Sequence, residues 1–356
     1  MKKALESAYA GKRVLVTGDT GFKGSWLVVA LRELGATVHG FALPPEHEKG
    51  HFRAARLDRL VEHVDGDLRD ADAVRAAVRR ASPDVVFHLA AQPLVRLSYD
   101  EPKRTFDTNV GGSVNVLEAV RENERVRALV YVTSDKCYRN KEWIWGYREN
   151  DELGGDDPYS ASKAAAELVF TAYQRSFFDK RQGPGAATVR AGNVIGGGDW
   201  SANRIVPDCI RALLAREPIV LRNPDSTRPW QHVLEPVFGY LLLGARLLER
   251  PRDFGGSWNF GPRAEATRTV GELADEVVRD WGSGSVRIDR PANAPYEAGL
   301  LQLNCDKALA KLGWQAAWDF RTAVAETVAW YKRTSEGEDA LEVSRSQIAD
   351  YLEAAS

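Results

Sequence analysis

The chain has 356 residues, 44% of them hydrophobic and 28% charged, with a formal net charge of −2. That size and composition can bury a sizeable core with room for two lobes. The balanced charge excludes the strongly basic surface that a nucleic-acid or membrane-surface partner would need. The longest apolar stretch, around Trp26 to Leu34, is too short for a bilayer span and is interrupted by Arg32 and Glu33. Glu6 and Gly11 stand where a signal peptide needs apolar residues. Cys137, Cys209 and Cys305 are far apart, which suits a reducing compartment rather than a disulfide framework. The expectation is a cytoplasmic globular protein.

Lys12 to Thr17 predicts a short buried strand, running into Gly18-Asp19-Thr20-Gly21-Phe22-Lys23-Gly24 and then an apolar-rich helix from about Ser25 to Leu34. Gly35 ends that helix, and Thr37 to Ala42 predicts the next strand, which completes a β-α-β unit. A glycine loop between strand and helix lets the backbone approach a pyrophosphate, whose charge then sits at the helix N-terminus. The spacing at Gly18, Gly21 and Gly24 differs by one residue from the commonest dinucleotide fingerprint. Turns also use glycine, so it is the position between strand and helix that favours the cofactor. An NAD site is expected to carry an acid at the end of the second strand. Gly40-Phe41-Ala42 offers none, and no arginine follows at once to take a 2′-phosphate, so this position leaves NAD and NADP open.

His47-Glu48-Lys49-Gly50-His51 matches a zinc pattern in letters, but that pattern needs a helix, and Pro44, Pro45 and Gly50 predict a loop. No metal site is expected. Asp65-Gly66-Asp67-Leu68 admits two readings: Asp67 reaches a cofactor adenine, or the segment is an ordinary turn. Helices are predicted from about Asp70 to Arg80 and Thr105 to Asn123. Val85 to Ala91 and Ala128 to Ser134 predict continuously apolar strands of a parallel sheet covered on both faces.

Thr133-Ser134-Asp135-Lys136-Cys137-Tyr138 follows the last of these strands, where ligands bind in such sheets. Ser134 is a candidate to hydrogen-bond a reacting oxygen, and Asp135 to donate a proton if it stays protonated. Lys136 is a candidate base or an exposed loop residue. A long helix is predicted from about Pro158 to Phe178, capped by Asp157. Within it Tyr159 and Lys163 are four residues apart and share a face. The ammonium favours the phenolate, as a nicotinamide cation would further, which makes Tyr159 a candidate base for a hydroxyl proton during hydride transfer. Beyond Thr188-Val189-Arg190 the elements shorten. Residues 1–187, with part of 229–262, predict a dinucleotide-binding domain, 188–335 a substrate lobe, and 336–356 a peripheral helical extension. The fold class is α/β, a Rossmann-like doubly wound parallel sheet with a smaller mixed α/β lobe. Most of the ten tryptophans suit core or groove walls; Trp200 and Trp230 are candidates for sugar stacking.

The glycine loop, Ser134, Tyr159 and Lys163 resemble the extended short-chain dehydrogenase/reductases. Thr20 to Trp26, Ser134 to Tyr138, Trp145 to Glu149, Asp157 to Lys163, Gly192 to Trp200 and Arg228 to Val233 resemble, more closely, the CDP-glucose 4,6-dehydratases. The resemblance covers nearly the whole chain. The Ser134-Asp135-Lys136 triplet is its most discriminating part, since dTDP-glucose dehydratases carry Asp-Glu there.

The resemblance implies NAD as cofactor, held by Gly18, Thr20, Gly21, Phe22, Lys23, Gly24, Asp67, Leu68, Ala90, Ala91, Asn109, Tyr159 and Lys163. It implies a nucleotide-sugar substrate contacted by Ser134, Asn193, Arg204 and Arg228, and a homodimer or homotetramer paired through the two long helices. It further implies C4 oxidation by Tyr159, Lys163 and Ser134, loss of water across C5 and C6 with Asp135 as acid, and hydride return to C6. Lys136 replaces the glutamate that takes the C5 proton in dTDP enzymes, which leaves that base open. Asp19 replaces a frequent histidine, a departure that favours cofactor binding only if the carboxylate points away. Competing readings are a dehydratase of another nucleotide sugar, an epimerase of the same superfamily, which Asp135 argues against, and a binding module without turnover.

Overall fold

The computed structural model describes residues 1–180, 183–263, 266–289 and 300–355. After a first helix α1 (Lys2–Tyr9), the chain alternates strand and helix: β1 (Arg13–Thr17), α2 (Phe22–Glu33), β2 (Thr37–Ala42), α3 (His51–Ala54), β3 (Glu62–Asp65), α4 (Ala71–Ala81) and β4 (Val85–His88). Two short helices, α5 (Val95–Asp100) and α6 (Pro102–Phe106), lead through a widened turn at Asp107–Gly112 into α7 (Ser113–Arg121). Then come β5 (Ala128–Val132), α8 (Pro158–Tyr173) and β6 (Gly185–Ala191).

β1 and β4 to β6 are buried along almost their whole length, because their Val, Leu, Ala and Phe residues are covered on both sides. They form a parallel seven-stranded sheet among the described residues, in the order β11-β6-β5-β4-β1-β2-β3, where β11 is Gly256–Phe260. One face packs α2 and α10 (Leu234–Glu249), through Trp26, Leu27, Leu234 and Phe238; the other packs α4, α7 and α8, through Val74, Val116 and Phe170. The strand order reverses between β1 and β4, so a crevice opens beyond their carboxyl ends. No helix among the described residues is long and apolar enough to cross a membrane.

The later segments are shorter. They comprise β7 (Val194–Ile195), α9 (Ile205–Ala215), β8 (Ile219–Leu221), β9 (Thr227–Pro229) and β10 (Gln231–His232) before α10. After β11 come β12 (Thr267–Thr269), α11 (Val270–Trp281), β13 (Val286–Ile288), α12 (Asp306–Leu312), α13 (Phe320–Ser335) and α14 (Ala340–Ala354). The small strands pair as β7 with β10, β8 with β13 and β9 with β12.

Three expectations are corrected. β4 stops at His88 and β5 at Val132, short of Ala91 and Ser134, because the chain turns out of the sheet there. α2 starts at Phe22, so Phe22, Lys23 and Gly24 form its first turn. The helix expected from Thr105 to Asn123 is found, running without a break from Pro102 to Arg121 with one widened, π-helical stretch at Asp107–Gly112. α14 is not peripheral: Val343, Ser344, Gln347, Ile348, Tyr351 and Leu352 recur at helical spacing along one buried face. Ser344 Oγ lies 2.9 Å from His51 Nε2 and accepts from Trp330 Nε1 at 2.9 Å. The loop expected around His47 is found, but His51 begins α3, buried and stacked on Trp26 at 4.5 Å.

Candidate active site

The glycine loop is built for close approach. Gly18 has φ +78°, and a Cβ there would meet the Ala90 nitrogen at 2.7 Å. A Cβ on Gly24 would meet the Gly18 carbonyl oxygen at 2.0 Å. α2 leaves Gly21 without a side-chain cap and has no acid in its first turn, so its leading amides are available to an anion. Thr20 Oγ1 donates to the Leu43 carbonyl at 2.9 Å and fixes the loop against the chain after β2.

Asp19 points away from those amides. Its buried carboxylate takes a 2.7 Å hydrogen bond from His63 Nδ1, and His63 Nε2 lies 2.9 Å from Asp65 Oδ1. Burial pulls His63 down, but Asp19 and Asp65 outweigh it and hold the imidazole above its ordinary value. A Cβ on Gly40 would meet Asp19 Oδ2 at 2.0 Å, so the acid-free end of β2 is the space that the loop carboxylate occupies.

Asp67 is bound as a fork to Arg69, whose Nη2 donates at 2.5 Å, and the guanidinium holds its carboxyl below the usual range. Leu68 is buried against Gly112, where a Cβ would meet Leu68 Cβ at 2.7 Å. The Ala90 amide reaches Thr17 Oγ1 at 3.3 Å, and Ala91 follows, half-buried. Asn109 is buried, accepting from the Gln92 amide at 2.8 Å and donating to Ser162 Oγ at 2.9 Å. It acts by tying the loop after β4 to α8.

α8 carries the phenol and ammonium. Asp157 caps it by accepting from the Ser160 amide at 3.0 Å, and Pro158 suits its first turn. Tyr159 and Lys163 are both buried beside the end of β5, with the ammonium 5.9 Å from the phenol ring centre. Ser134 Oγ donates to Asp135 Oδ1 at 2.9 Å and also hydrogen-bonds the Tyr159 phenol. Asp135 opens a short turn, Asp135–Cys137, and is 5% exposed. Gly192, just past β6, makes room for it, since a Cβ there would meet Asp135 Oδ2 at 2.9 Å. Burial raises Asp135 above the ordinary carboxylate range, against the opposing pull of Lys136, Ser134 and Lys23. Lys136 is half-buried beside it.

Burial also pushes the Tyr159 phenol up to about 12 and brings Lys163 down to about 8. For Tyr159 desolvation is the largest influence, opposed by the hydrogen bond with Ser134 and the charge of Arg204. Lys23, in the first turn of α2, belongs to the same electrostatic cluster. Its half-buried ammonium feels Asp135, Arg204 and Asp199, acts on Lys163, and is brought down to about 8 by burial.

Arg204 is paired with Asp199 at 2.8 Å and feels the Tyr159 phenol, which joins it to the same cluster. The Asn193 carbonyl accepts from the Gln231 amide at 3.1 Å, where β7 meets β10. Arg228 lies on β9, donating to the Thr227 carbonyl at 2.7 Å. Trp230 is buried in the core, whereas Trp200 meets Tyr331 edge-on with Lys49 over its ring. Among the described residues no three His, Cys, Asp or Glu side chains gather as metal ligands would.

Sequence reasoning missed a buried ion pair, Glu167 with Arg190, at 2.8 Å. Two signals pointed to it. Glu167 follows Lys163 by four residues on the face that carries Tyr159, and Arg190 is a charge inside an apolar strand.

A family model described as GDP-mannose 4,6 dehydratase matches residues 15–327. The chain is 47% identical to a CDP-glucose 4,6-dehydratase of Salmonella typhimurium, over 97% of this chain and 98% of that one. It is 30% identical to a dTDP-glucose 4,6-dehydratase of Streptomyces antibioticus, over 90% and 92% of the two chains. Among solved structures, a dTDP-glucose 4,6-dehydratase of Streptomyces venezuelae, determined with NAD bound, superposes with a TM-score of 0.76 at 24% identity, covering 92% of this chain and 99% of that one. A UDP-glucose 4-epimerase of Stenotrophomonas maltophila superposes with a TM-score of 0.78 at 23% identity, covering 92% and 100%. These two structures share the fold.

Proposed function

The chain belongs to the GDP-mannose 4,6 dehydratase family, and from that premise we propose that it converts CDP-glucose to CDP-4-keto-6-deoxyglucose as a CDP-glucose 4,6-dehydratase. The observation that carries the reading is the buried Asp135 carboxyl beside Ser134, Tyr159 and Lys163. Proton and hydride exchange at C4 needs only the last three. Expelling a hydroxyl as water needs, in addition, an acid, and burial raises Asp135 in the direction that favours its protonated form.

The residues fit NAD. The uncapped start of α2 and the closely packed Gly18 and Gly24 suit a pyrophosphate, and Asp19 is turned away from it. Arg69, the cation nearest in sequence to Asp67, is spent on that carboxylate, which favours NAD over a 2′-phosphorylated cofactor. When bound, NAD supplies the acceptor for the C4 hydride and the donor that returns it at C6, so it is not consumed.

The Tyr159 phenolate takes the C4 hydroxyl proton and becomes the neutral phenol, Ser134 holds the sugar oxygen, and Lys163 stabilises the phenolate before the transfer. Burial raises the phenol, so a further cation beside it would favour the phenolate. The 4-keto group acidifies C5–H. Asp135 then protonates the C6 hydroxyl, which departs as water while the C5 proton is removed. Lys136 is the candidate base at C5; undiminished C5 exchange in Lys136→Ala would make it structural. Asn193, Arg204 and Arg228 are the candidate contacts to the nucleotide and diphosphate, since guanidinium forks suit phosphate oxygens. Residues 1–187 with part of 229–262 serve the cofactor, and 188–335 the sugar nucleotide.

Tyr99, Phe106, Leu168 and Phe177 leave exposed apolar surface on and beside α5, α6 and α8, which supports a homo-oligomer paired through these helices. The three unpaired cysteines support a cytoplasmic setting. Incubation with CDP-glucose in deuterated water is the test. It should give a product lighter by one water, with deuterium at C5 and no net cofactor consumption. A product of unchanged mass would overturn the reading.

A further inference from the structure

The turn that carries Asp135 is held at both ends by one buried ion pair. Glu167 lies on α8, four residues past Lys163 and eight past Tyr159, and has no solvent exposure. Its Oε1 accepts from Thr133 Oγ1 at 2.5 Å and from Arg190 Nε at 2.9 Å. Its Oε2 accepts from Arg190 Nη2 and from Thr188 Oγ1, each at 2.8 Å. Thr133 is the residue immediately before Ser134. On the far side of the turn, Arg190 Nη1 donates to the Tyr138 hydroxyl at 2.6 Å, with its guanidinium carbon 4.8 Å from the centre of the Tyr138 ring. Nη1 also reaches the Glu149 carbonyl at 3.1 Å, and Nη2 the Ser257 hydroxyl at 3.0 Å. The Tyr138 hydroxyl donates onward to Asn259 Oδ1 at 2.8 Å. The carboxylate therefore grips the start of the Ser134–Cys137 turn, and the guanidinium grips its end. Both are fixed to the helix that carries the phenol and the ammonium.

Stability alone is a poor reason for such a pair, because well-packed apolar residues of similar volume often stabilise a core as well or better. Its groups are satisfied by Thr133 just past β5, Thr188 of β6 and Ser257 of β11, which is what a rigid spacer between α8 and these elements requires. The reaction proposed above needs that spacing. The phenol works at C4 and the carboxyl at C6 of one hexose ring, and a misplacement of about 1 Å can cost about 100-fold in rate.

Resting on the dehydratase reading, we propose that the Glu167–Arg190 pair is the positioning unit that sets Asp135 at the correct distance from Tyr159. Neither residue touches the sugar. They act through Thr133 and Tyr138.

Two variants test this. Thr133→Val with Tyr138→Phe cuts both arms and leaves the ion pair with its other partners. Glu167→Met with Arg190→Met removes the pair without leaving a buried charge alone. In the first, kcat should fall about ten- to a hundredfold while KM for CDP-glucose stays within about twofold. Reduced nicotinamide should build up during turnover, because C4 oxidation then outruns loss of water, and deuterium should enter C5 more slowly. The melting temperature should stay near that of the parent. The second variant, wherever it folds, should show the same build-up.

An unchanged kcat in the folded first variant would overturn the proposal. So would a fall in kcat without build-up of reduced nicotinamide, since the defect would then lie at C4 or in binding. If the parent protein releases no water from CDP-glucose, the dehydratase reading falls and takes the proposal with it. That outcome is seen in the parent before any variant is made.

Discussion

Asp135 and Tyr159 are both buried and both held above their ordinary pKa, yet burial serves them in opposite ways. An acid that must hold its proton until a hydroxyl leaves is helped by desolvation, whereas a base that must shed one is hindered. Tyr159→Phe should therefore nearly abolish C4 oxidation, measured as the absence of any nicotinamide reduction on mixing with CDP-glucose. Asp135→Asn should leave that reduction intact and slow the release of water by about 10²- to 10⁴-fold. Its pH profile carries a sign. Asp135 is raised by burial, so the acid is present at low pH and is lost as pH rises through its value in the folded protein. The parent's rate of water loss should fall on that limb, and the asparagine variant should lack it. An unchanged overall rate for Asp135→Asn would remove the aspartate from the mechanism. At this scale the sequence was informative, because Tyr159 and Lys163 are linked by helical spacing and Ser134 and Asp135 by a strand end. The position of Lys23 was not legible. The glycines around it pointed to a cofactor, and only the tertiary arrangement brings its charge to bear on Asp135 and Lys163.

Among the elements, β2 shows how one substitution reaches across the sheet. Its Gly40 read in sequence only as a missing ribose acid. In the structure it is the space filled by the Asp19 carboxylate, which is held there by His63 from β3. Gly40→Ala should thus cost more than an ordinary strand glycine replacement, about 1–3 kcal/mol in chemical unfolding, because the new methyl meets a buried carboxylate. Adding Asp19→Ala should recover part of that loss, and strict additivity of the two would disprove the contact. The departure of α2, β4 and β5 from their expected ends has a common cause. Apolar periodicity does not mark where the backbone leaves the sheet or starts to coil, and Leu89 to Ala91 and Phe22 and Lys23 lie half-buried around the site. Glu167 and Arg190 belong to the same class. Each is a charge in an otherwise apolar setting, visible one at a time in the sequence, while their partnership needs α8 to lie over β6.

For the molecule as a whole, Glu235 joins α10 to the last third of the chain. Its carboxylate accepts from the Ala317 amide at 3.0 Å, the Trp318 amide at 2.8 Å and the Tyr351 hydroxyl of α14 at 2.8 Å. Burial pushes it up to about 7 from 4.5, against the lowering effect of those bonds. Its folded value lies above its unfolded one, so the carboxyl's contribution to stability is fully present below pH 4.5 and is lost as pH rises to about 7 and beyond. The parent's melting temperature should decline across that window more steeply than that of Glu235→Gln; parallel curves would exclude the residue. The exposed apolar surface of α6 and α8 makes a second prediction at this scale. Phe106→Asp with Leu168→Asp should shift the sedimentation equilibrium to monomer with little change in the melting temperature of the isolated chain, and an unaltered assembly state would place the contact elsewhere.

By itself the sequence determined what depends on near neighbours along the chain: the β-α-β order, the glycine loop, and the Tyr159–Lys163 and Ser134–Asp135 pairs. Strand and helix periods repeat every two to four residues, so such features are written locally. The tertiary structure decided what depends on packing between distant segments. It turned Asp19 away from the phosphate cradle, made α14 part of the core, raised the Tyr159 phenol by burial, and brought Glu167 onto Arg190. Desolvation and ion pairing are set by whatever surrounds a group in space, and no spacing along the chain records them.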